Sequence, residues 1–266
     1  CFDGTNIWVT NNYDGTVSKL NAGDGSLVDT YPVGNRPDGI CFDGTNIWVS
    51  NYRDNTVSKI DASGNVTSYP VGDGPRGICF DGTNIWVTNY RDNTVSKLNA
   101  GDRSLVDTYP VGNRPWGICF DGTNIWVANH GSDTVSKIDA SGDVTSYPVG
   151  DGPRGICFDG TNIWVTNNYD GTVSKIDASG DVTSYPIGDY SYGICFDGAN
   201  IWVTNYRDNT VSKIDAGDGS LVDTYPVGSQ PDGICFDGTN IWVANHGSDT
   251  VSKIDAGDGS LVDTYP

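Results

Sequence analysis

The stretch CFDGTNIWVSNYRDNTVSKIDASGNVTSYPVGDGPRGI, residues 41–78, decides the fold. It contains four short runs in which apolar and polar residues alternate, separated by turns rich in Gly, Asp and Asn. The first run ends at Phe42, and the others cover 47–51, 56–61 and 66–71. Val, Ile, Thr and aromatic residues favour strands, whereas Gly and Asn supply the positive φ of tight turns. The stretch therefore predicts a meander of four antiparallel strands, without a helical period.

The same unit recurs along the chain of 266 residues. Its opening tetrad, CFDG, begins at residues 1, 41, 79, 119, 157, 195 and 235. Four strands in about 40 residues are the signature of a β-propeller blade. We therefore predict an all-β fold, a seven-bladed β-propeller with four antiparallel strands per blade, as a single domain over residues 1–266.

The two ends of the sequence are compatible with more than one way of closing the propeller. The last unit stops at Pro266 without the connector that follows each other unit, and the Gly-Ile that precedes CFDG elsewhere is missing before Cys1. We expect either a ring that closes by packing between its first and last blades, or one segment of a longer or self-assembling chain.

The repeated residues resemble a known family. WVTN at 8–11, WVSN at 48–51 and WVAN at 126–129 precede TVSK and a connector that ends in Gly-Ile. This pattern is similar to the 40-residue YVTN propeller repeat, and the resemblance implies a secreted or cell-surface protein of the surface-layer type. A more distant resemblance is to streptogramin lyase, also a seven-bladed propeller, and implies a histidine base, acidic residues and a magnesium ion. No motif matches that enzyme residue by residue, so no catalytic residue is carried over.

Charge excludes several classes of partner. The chain has 15 Lys and Arg against 34 acidic residues, all Asp, and a net charge of −19. Such a protein repels phosphate backbones and anionic lipids, so we expect neither nucleic-acid binding nor a membrane-surface role. No apolar run is long enough to span a bilayer.

Two residue types recur once in every unit and have structural explanations. Each Trp of the second run is expected to pack between blades. Each Cys lies at one position of the first strand, where symmetry keeps neighbouring residues too far apart for disulfides. No CxxC spacing suggests a metal, so we predict seven buried free thiols.

Variation between units is concentrated in two loops that a four-stranded meander places at one end of the blade. These are the loop between the second and third strands and the connector to the next blade, and we call this the connector end. Arginine and aromatic residues, which are typical of binding hot spots, are enriched there. The predicted binding residues in the connectors are Arg36, Arg76, Arg114, Trp116, Arg154, Tyr190 and Tyr192. Those in the other loop are Tyr52, Arg53, Tyr90, Arg91, His130, Tyr206, Arg207 and His246.

From this pattern we expect a non-enzymatic scaffold or interaction propeller, outside the cell or on its surface, that contacts a protein or a polysaccharide. The near-identity of the units disfavours an enzyme, which needs one asymmetric site. No catalytic residue, metal ligand or cofactor is predicted. Two alternatives stay open. One is a lectin with repeated sugar sites around Tyr52, Tyr90 and Tyr206. The other is a lyase or hydrolase in which His130 or His246 lies beside an acid and a metal.

Overall fold

The computed structural model describes residues 1–188 and 190–266. Residue 189, in the predicted variable connector 189–192, lies outside the described residues. Within the described ranges the chain forms 27 strands in seven antiparallel sheets and no helix. Accordingly, no helix in this part of the chain has the length and apolarity needed to cross a membrane.

Each sheet is a meander of consecutive strands. The strands of the first four sheets are β1 (Asn6–Asn11), β2 (Thr16–Asn21), β3 (Leu27–Pro32); β4 (Pro37–Phe42), β5 (Ile47–Asn51), β6 (Thr56–Ile60), β7 (Val66–Pro70); β8 (Pro75–Phe80), β9 (Asn84–Asn89), β10 (Thr94–Asn99), β11 (Leu105–Pro110); β12 (Pro115–Phe120), β13 (Ile125–Asn129), β14 (Thr134–Ile138), β15 (Val144–Pro148).

The strands of the last three sheets are β16 (Pro153–Phe158), β17 (Ile163–Asn167), β18 (Thr172–Ile176), β19 (Val182–Pro186); β20 (Ser191–Phe196), β21 (Asn200–Asn205), β22 (Thr210–Asp215), β23 (Leu221–Pro226); β24 (Pro231–Phe236), β25 (Asn240–Asn245), β26 (Thr250–Asp255), β27 (Leu261–Tyr265). In the first sheet a single bridge between Phe2 and Ile7 stands in place of the first strand. The seven meanders are propeller blades, and the predicted fold class is confirmed.

The chain divides into two compact units, each of which contains several blades. We call Cys1–Ser146 the first unit and Tyr147–Pro266 the second unit. In the first unit, Trp48 and Val57 of the second blade pack on Ile85 and Val87 of the third. In the second unit, Trp164 of the fifth blade packs on Ile194 and other apolar residues of the sixth. The tryptophans therefore lie between blades, as predicted.

The CFDG aspartate fixes both the first turn and the tryptophan of its own blade. Asp159 Oδ1 accepts the backbone N–H of Thr161 at 2.7 Å and of Asn162 at 2.6 Å, and its Oδ2 accepts the Trp164 Nε1–H at 2.7 Å. Burial opposes the charge of this carboxylate, but the hydrogen bonds from Asn162, Trp164 and Thr161 outweigh it and lower the pKa. The same bonding recurs in all seven blades and holds each Trp by an ionised acceptor.

Glycine is required where the first strands of neighbouring blades approach each other. A Cβ on Gly77 would overlap the carbonyl oxygen of Trp116, and one on Gly155 would overlap that of Tyr192. Side-chain hydroxyls seal the same seam: Thr88 donates to the Trp116 carbonyl at 2.7 Å, and Thr166 donates to that of Tyr192 at 2.8 Å. The Gly-Ile dipeptide of each connector thus sets how closely adjacent blades pack.

All seven cysteines are free thiols, as predicted, although these residues are half-buried instead of fully buried. Burial raises the pKa of the thiols of Cys41, Cys79, Cys157 and Cys195 far above the usual value. Because only the thiolate reacts, we expect these four to resist iodoacetamide in the native protein at pH 8 and to react fully in denaturant. Mass spectrometry of the alkylated protein measures this, and native labelling as fast as in denaturant would contradict it.

Candidate functional site

The two variable loops meet at the connector end of each blade. In the first unit, Tyr52 donates its backbone N–H to the Arg36 carbonyl at 2.9 Å. In the second unit, Tyr206 donates to Tyr190 and His246 donates to Gln230, each at 3.0 Å. These bonds tie the residue after the second strand to the connector of the same blade, so the predicted neighbourhood of the two loops is confirmed within each unit.

The fourth residue of each connector is the second residue of the first strand in its blade. The side chain at this position differs in charge and type from blade to blade. In the first unit this position holds Asp38, Arg76 and Trp116, and in the second it holds Arg154, Tyr192 and Asp232. Each lies on a strand that approaches a neighbouring blade through a glycine contact or a hydroxyl bridge. One acid, one cation and one aromatic ring therefore come from consecutive blades in each unit.

Arg76 is the centre of the cluster in the first unit. Its Nη1 lies 2.6 Å from Asp38 Oδ2, and its side chain is only 18% exposed. Its guanidinium lies 4.3 Å from the Tyr52 ring centroid, 4.8 Å from that of Tyr90 and 3.7 Å from that of Trp116. A desolvated cation held by three π faces and one carboxylate is strongly fixed. Asp38 also neutralises it, so this cluster is built for rigidity.

Two further residues of the first unit extend this cluster. The His130 ring lies 5.4 Å from Trp116, centroid to centroid. Arg91 lies 4.9 Å from the Tyr52 ring and pairs with Asp73 at 3.3 Å, with 52% of its side chain exposed. His130 therefore packs beside the first strand of its blade and not at the outer edge.

The other predicted residues of the first unit do not join the cluster. Arg36 lies 5.9 Å from the Tyr13 ring, and Arg53 is exposed. The Arg114 side chain packs over Gly131. Trp116 is thus brought together with Tyr52, Tyr90, Arg76 and His130. Arg36, Arg53 and Arg114 do not belong to this cluster.

Arg154 is the centre of the cluster in the second unit. Its guanidinium lies 3.2 Å from the Tyr192 ring centroid, and its Nη2 lies 3.2 Å from Asp232 Oδ2. Tyr192 in turn lies 4.3 Å from the Tyr206 ring. The Arg154 side chain is only 13% exposed and the Asp232 side chain is 43% exposed. The Arg154 guanidinium is thus buried, whereas its partner, the Asp232 carboxylate, is accessible to solvent.

A second pair lies in the same unit. The Arg207 guanidinium lies 3.3 Å from the Tyr190 ring, which packs edge-on against Tyr169 with centroids 6.2 Å apart. His246 is exposed in the loop that follows β25. Of the predicted residues, Arg154, Tyr192 and Tyr206 form one cluster, and Arg207 and Tyr190 form another.

Sequence reasoning missed the acids of both clusters. Asp38 and Asp232 occupy the same connector position as Arg76 and Arg154, in sequence repeats that are otherwise nearly identical. A change of charge sign at one repeated position was the signal that could have found them. The reason it matters is physical: a buried guanidinium needs a carboxylate partner.

These residues do not fit a magnesium site. Mg²⁺ prefers six oxygen ligands, whereas the second cluster offers one carboxylate that already pairs with Arg154. Across residues 1–188 and 190–266, no three His, Cys, Asp or Glu side chains lie close enough together to bind a metal ion.

Comparison with known proteins decides the family. The model of the virginiamycin B lyase family matches residues 2–254. The chain belongs to the virginiamycin B lyase family. The resemblance to streptogramin lyase is therefore confirmed, whereas the resemblance to YVTN surface-layer proteins is not. A search of curated proteins finds no significant match.

Solved structures share the fold of this virginiamycin B lyase family member at low identity. A catalytically inactive histidine-to-alanine variant of virginiamycin B lyase from Staphylococcus aureus, with quinupristin, is 23% identical, with a TM-score of 0.83 over 93% of this chain and 90% of that one. Hydrazine synthase from Kuenenia stuttgartiensis is 21% identical, with a TM-score of 0.85 over 96% and 93% of the two chains.

The expectation of a non-enzymatic protein is wrong. Family membership and the lyases among the similar structures overturn it. The near-identity of the blades predicts no single asymmetric site. In this family member, however, the fourth connector residue differs between the blades of each compact unit. The asymmetry is confined to the two variable loops of each blade, whereas the rest of the repeat is nearly uniform.

Proposed function

We propose that this protein is a lyase whose active site lies at the connector end of the second unit, with His246 as general base. The observation that carries this is positional. In the fourth blade, the fourth connector residue and the residue after the second strand are Trp116 and His130, which are in ring contact at 5.4 Å. In the seventh blade the same two positions hold Asp232 and His246.

The pairing of β24 with β25 supports this neighbourhood. Pro231 pairs with Asn245, and His246 donates its backbone N–H to Gln230. Asp232 and His246 each follow one member of that pair, so their backbones lie close together, with a register shift between Pro231 and Ile234 beside them. A carboxylate beside an imidazole stabilises the imidazolium that forms when the base takes a proton. His246 is exposed and can therefore reach a substrate.

Arg154 holds the acid of the site in place, and Asp232 neutralises part of the guanidinium charge. It reaches Asp232 from two blades away, and the Tyr192 face fixes its guanidinium plane. A buried, fixed cation stabilises negative charge that develops in a transition state. Tyr192 and Tyr206 form the aromatic wall of the site.

These groups suffice for an elimination. The His246 imidazole takes a proton from a substrate carbon next to a carbonyl, and the electron pair of that C–H bond becomes the new double bond. The C–O bond on the neighbouring carbon breaks, and its electrons leave with the oxygen as an anion near Arg154. Atoms and charge balance without water, which distinguishes a lyase from a hydrolase.

Streptogramin B-type compounds are the substrate class we propose, because this is the class named for the similar lyases. The large aromatic surface of the connector end supports an apolar substrate of this kind. A location outside the cell and a protein or polysaccharide partner stay predictions from the sequence.

Two matched variants test the base. His246→Ala is expected to lower the rate of quinupristin consumption about 100-fold or more, the usual loss on removing a general base. His130→Ala makes the same change in an identical His-Gly-Ser-Asp loop and is expected to keep the rate within about twofold, because Trp116 stands where an acid is needed. The rates are measured by chromatography at saturating substrate. Equal loss in both variants, or loss only in His130→Ala, would refute the assignment.

A further inference from the structure

A polar cleft of about 470 Å³ opens at the connector end between the third and fourth blades, in the unit that the proposed active site does not use. Its lining is Tyr90, Arg91, Asn93, Asn113, Arg114 and Gly131. We propose that this cleft binds a sugar that carries a carboxylate, of the hexuronate class.

Arg114 is held in a backbone conformation that favours glycine. Its φ is 52°, its N–H donates to Asn93 Oδ1 at 2.8 Å, and its carbonyl accepts the His130 N–H at 3.1 Å. The equivalent connector residues Gly74 and Gly152 have φ values of 67° and 66°. An L-residue there costs about 1 kcal/mol relative to glycine. Arg36, Tyr190 and Gln230 adopt the same conformation in other blades, with φ values of 52°, 59° and 53°, so this position fixes the start of the Arg114 side chain without requiring glycine.

The neighbouring loop makes room for that side chain. A Cβ at Gly131 would lie 3.0 Å from Arg114 Cδ. The second blade also carries an arginine at the equivalent connector position, Arg36, but there the loop residue is Arg53 instead of glycine. The combination of a connector arginine with a loop glycine is therefore a feature of the fourth blade.

The charge of Arg114 is available to a ligand. The structure shows three ion pairs between side chains in residues 1–188 and 190–266, formed by Arg76, Arg91 and Arg154. Arg114 is in none of them, although the chain carries a net charge of −19. An arginine that stays unneutralised among so many aspartates is suited to an external anion.

The rest of the lining defines the ligand. A guanidinium binds a carboxylate through two parallel hydrogen bonds. The amides of Asn93 and Asn113 suit hydroxyl groups, whereas the Tyr90 ring already contacts Arg76 and Trp116. The cleft is large enough for one or two sugar rings and too polar for an apolar ligand. A carboxylate and several hydroxyl groups together describe an acidic sugar.

The test compares two arginines at left-handed positions. Arg114→Gly is expected to weaken binding of digalacturonate at least tenfold, measured by isothermal titration calorimetry, and to leave the melting temperature unchanged or higher. Arg103→Gly is the control: Arg103 has a φ of 67° in a turn at the opposite end of the blade, where Gly25 and Gly219 stand in other blades. It should gain the same stability and keep the affinity.

Three results would overturn the proposal. Wild-type protein that does not bind digalacturonate would, as would equal weakening by Arg103→Gly, which would show a mere effect of net charge. Equal affinity for the neutral disaccharide galactobiose would show that the carboxylate is not recognised. None of these outcomes depends on lyase activity, because the cleft shares no residue with the proposed active site.

Discussion

Trp164→Ala is expected to destabilise the protein by about 4 kcal/mol, the upper range for removing a buried aromatic side chain. Trp164 is fully buried and packs against Val173, Ile194, Ile201 and neighbouring apolar residues of two blades. Its ring also stacks on Tyr185 with centroids 5.7 Å apart and lies 5.0 Å beneath Lys175 Nζ. Alanine leaves a cavity between blades that the rigid meanders cannot close.

The measurement is guanidinium denaturation of the whole protein, followed by circular dichroism. Trp164→Phe keeps most of the volume but loses the hydrogen bond to Asp159, and we expect it to cost about 2 kcal/mol. Tyr169→Ala removes an aromatic ring that is 55% exposed and is expected to cost less than about 1 kcal/mol. A loss for Trp164→Ala no greater than that of Tyr169→Ala would show that the tryptophans do not join the blades.

Acid is expected to unfold the protein below about pH 3, through the seven CFDG aspartates together. The folded pKa of each is lowered: burial opposes the charge, but hydrogen bonds from the tryptophan, the asparagine and two backbone amides outweigh it. A lowered folded pKa means that the contribution is complete above the ordinary value of 3.8 and is lost as pH falls through the folded pKa. The stabilisation that the seven aspartates contribute is therefore lost within one narrow range of pH.

Asp159→Asn tests the sign of this effect. Asparagine keeps the size but cannot accept all four hydrogen bonds, so we expect a loss of about 2 kcal/mol at pH 7. Because the variant has no carboxylate to protonate, the difference from wild type should shrink as pH falls below about 4 towards the pH of acid unfolding. Asp14→Asn changes the same charge in an exposed loop and should show no such convergence. A difference that stays constant from pH 7 down to the pH at which the wild type unfolds would contradict the linkage.

The blades could be predicted because every local signal agrees with the repeat. In the second blade the predicted second run, 47–51, is the observed strand Ile47–Asn51, and the third and fourth runs end one residue later than the strands. The first strand begins at Pro37, earlier than the run suggested, because the close approach of neighbouring blades extends it into the connector. Period and turn chemistry determine these features locally.

The clusters could be predicted only in part, because they depend on which blades are neighbours. Arg76 pairs with a residue 38 positions earlier, and Arg154 with one 78 positions later. The arginines and aromatic rings were selected for their residue type, but Asp38 and Asp232 look like ordinary loop aspartates among 34. The asymmetry of the connector position was visible in the sequence, and its meaning required the geometry that brings consecutive connectors together.

The most direct test of the account is the mass of the product formed from quinupristin by the wild-type protein. The C–O bond that breaks lies within the ring of this cyclic ester, so elimination with His246 as base predicts a single opened product of unchanged mass that carries a new double bond and a free carboxylate. A product heavier by one water would mean hydrolysis, and no product at all after prolonged incubation would mean that the connector end of the second unit is not a lyase site for this class of compound.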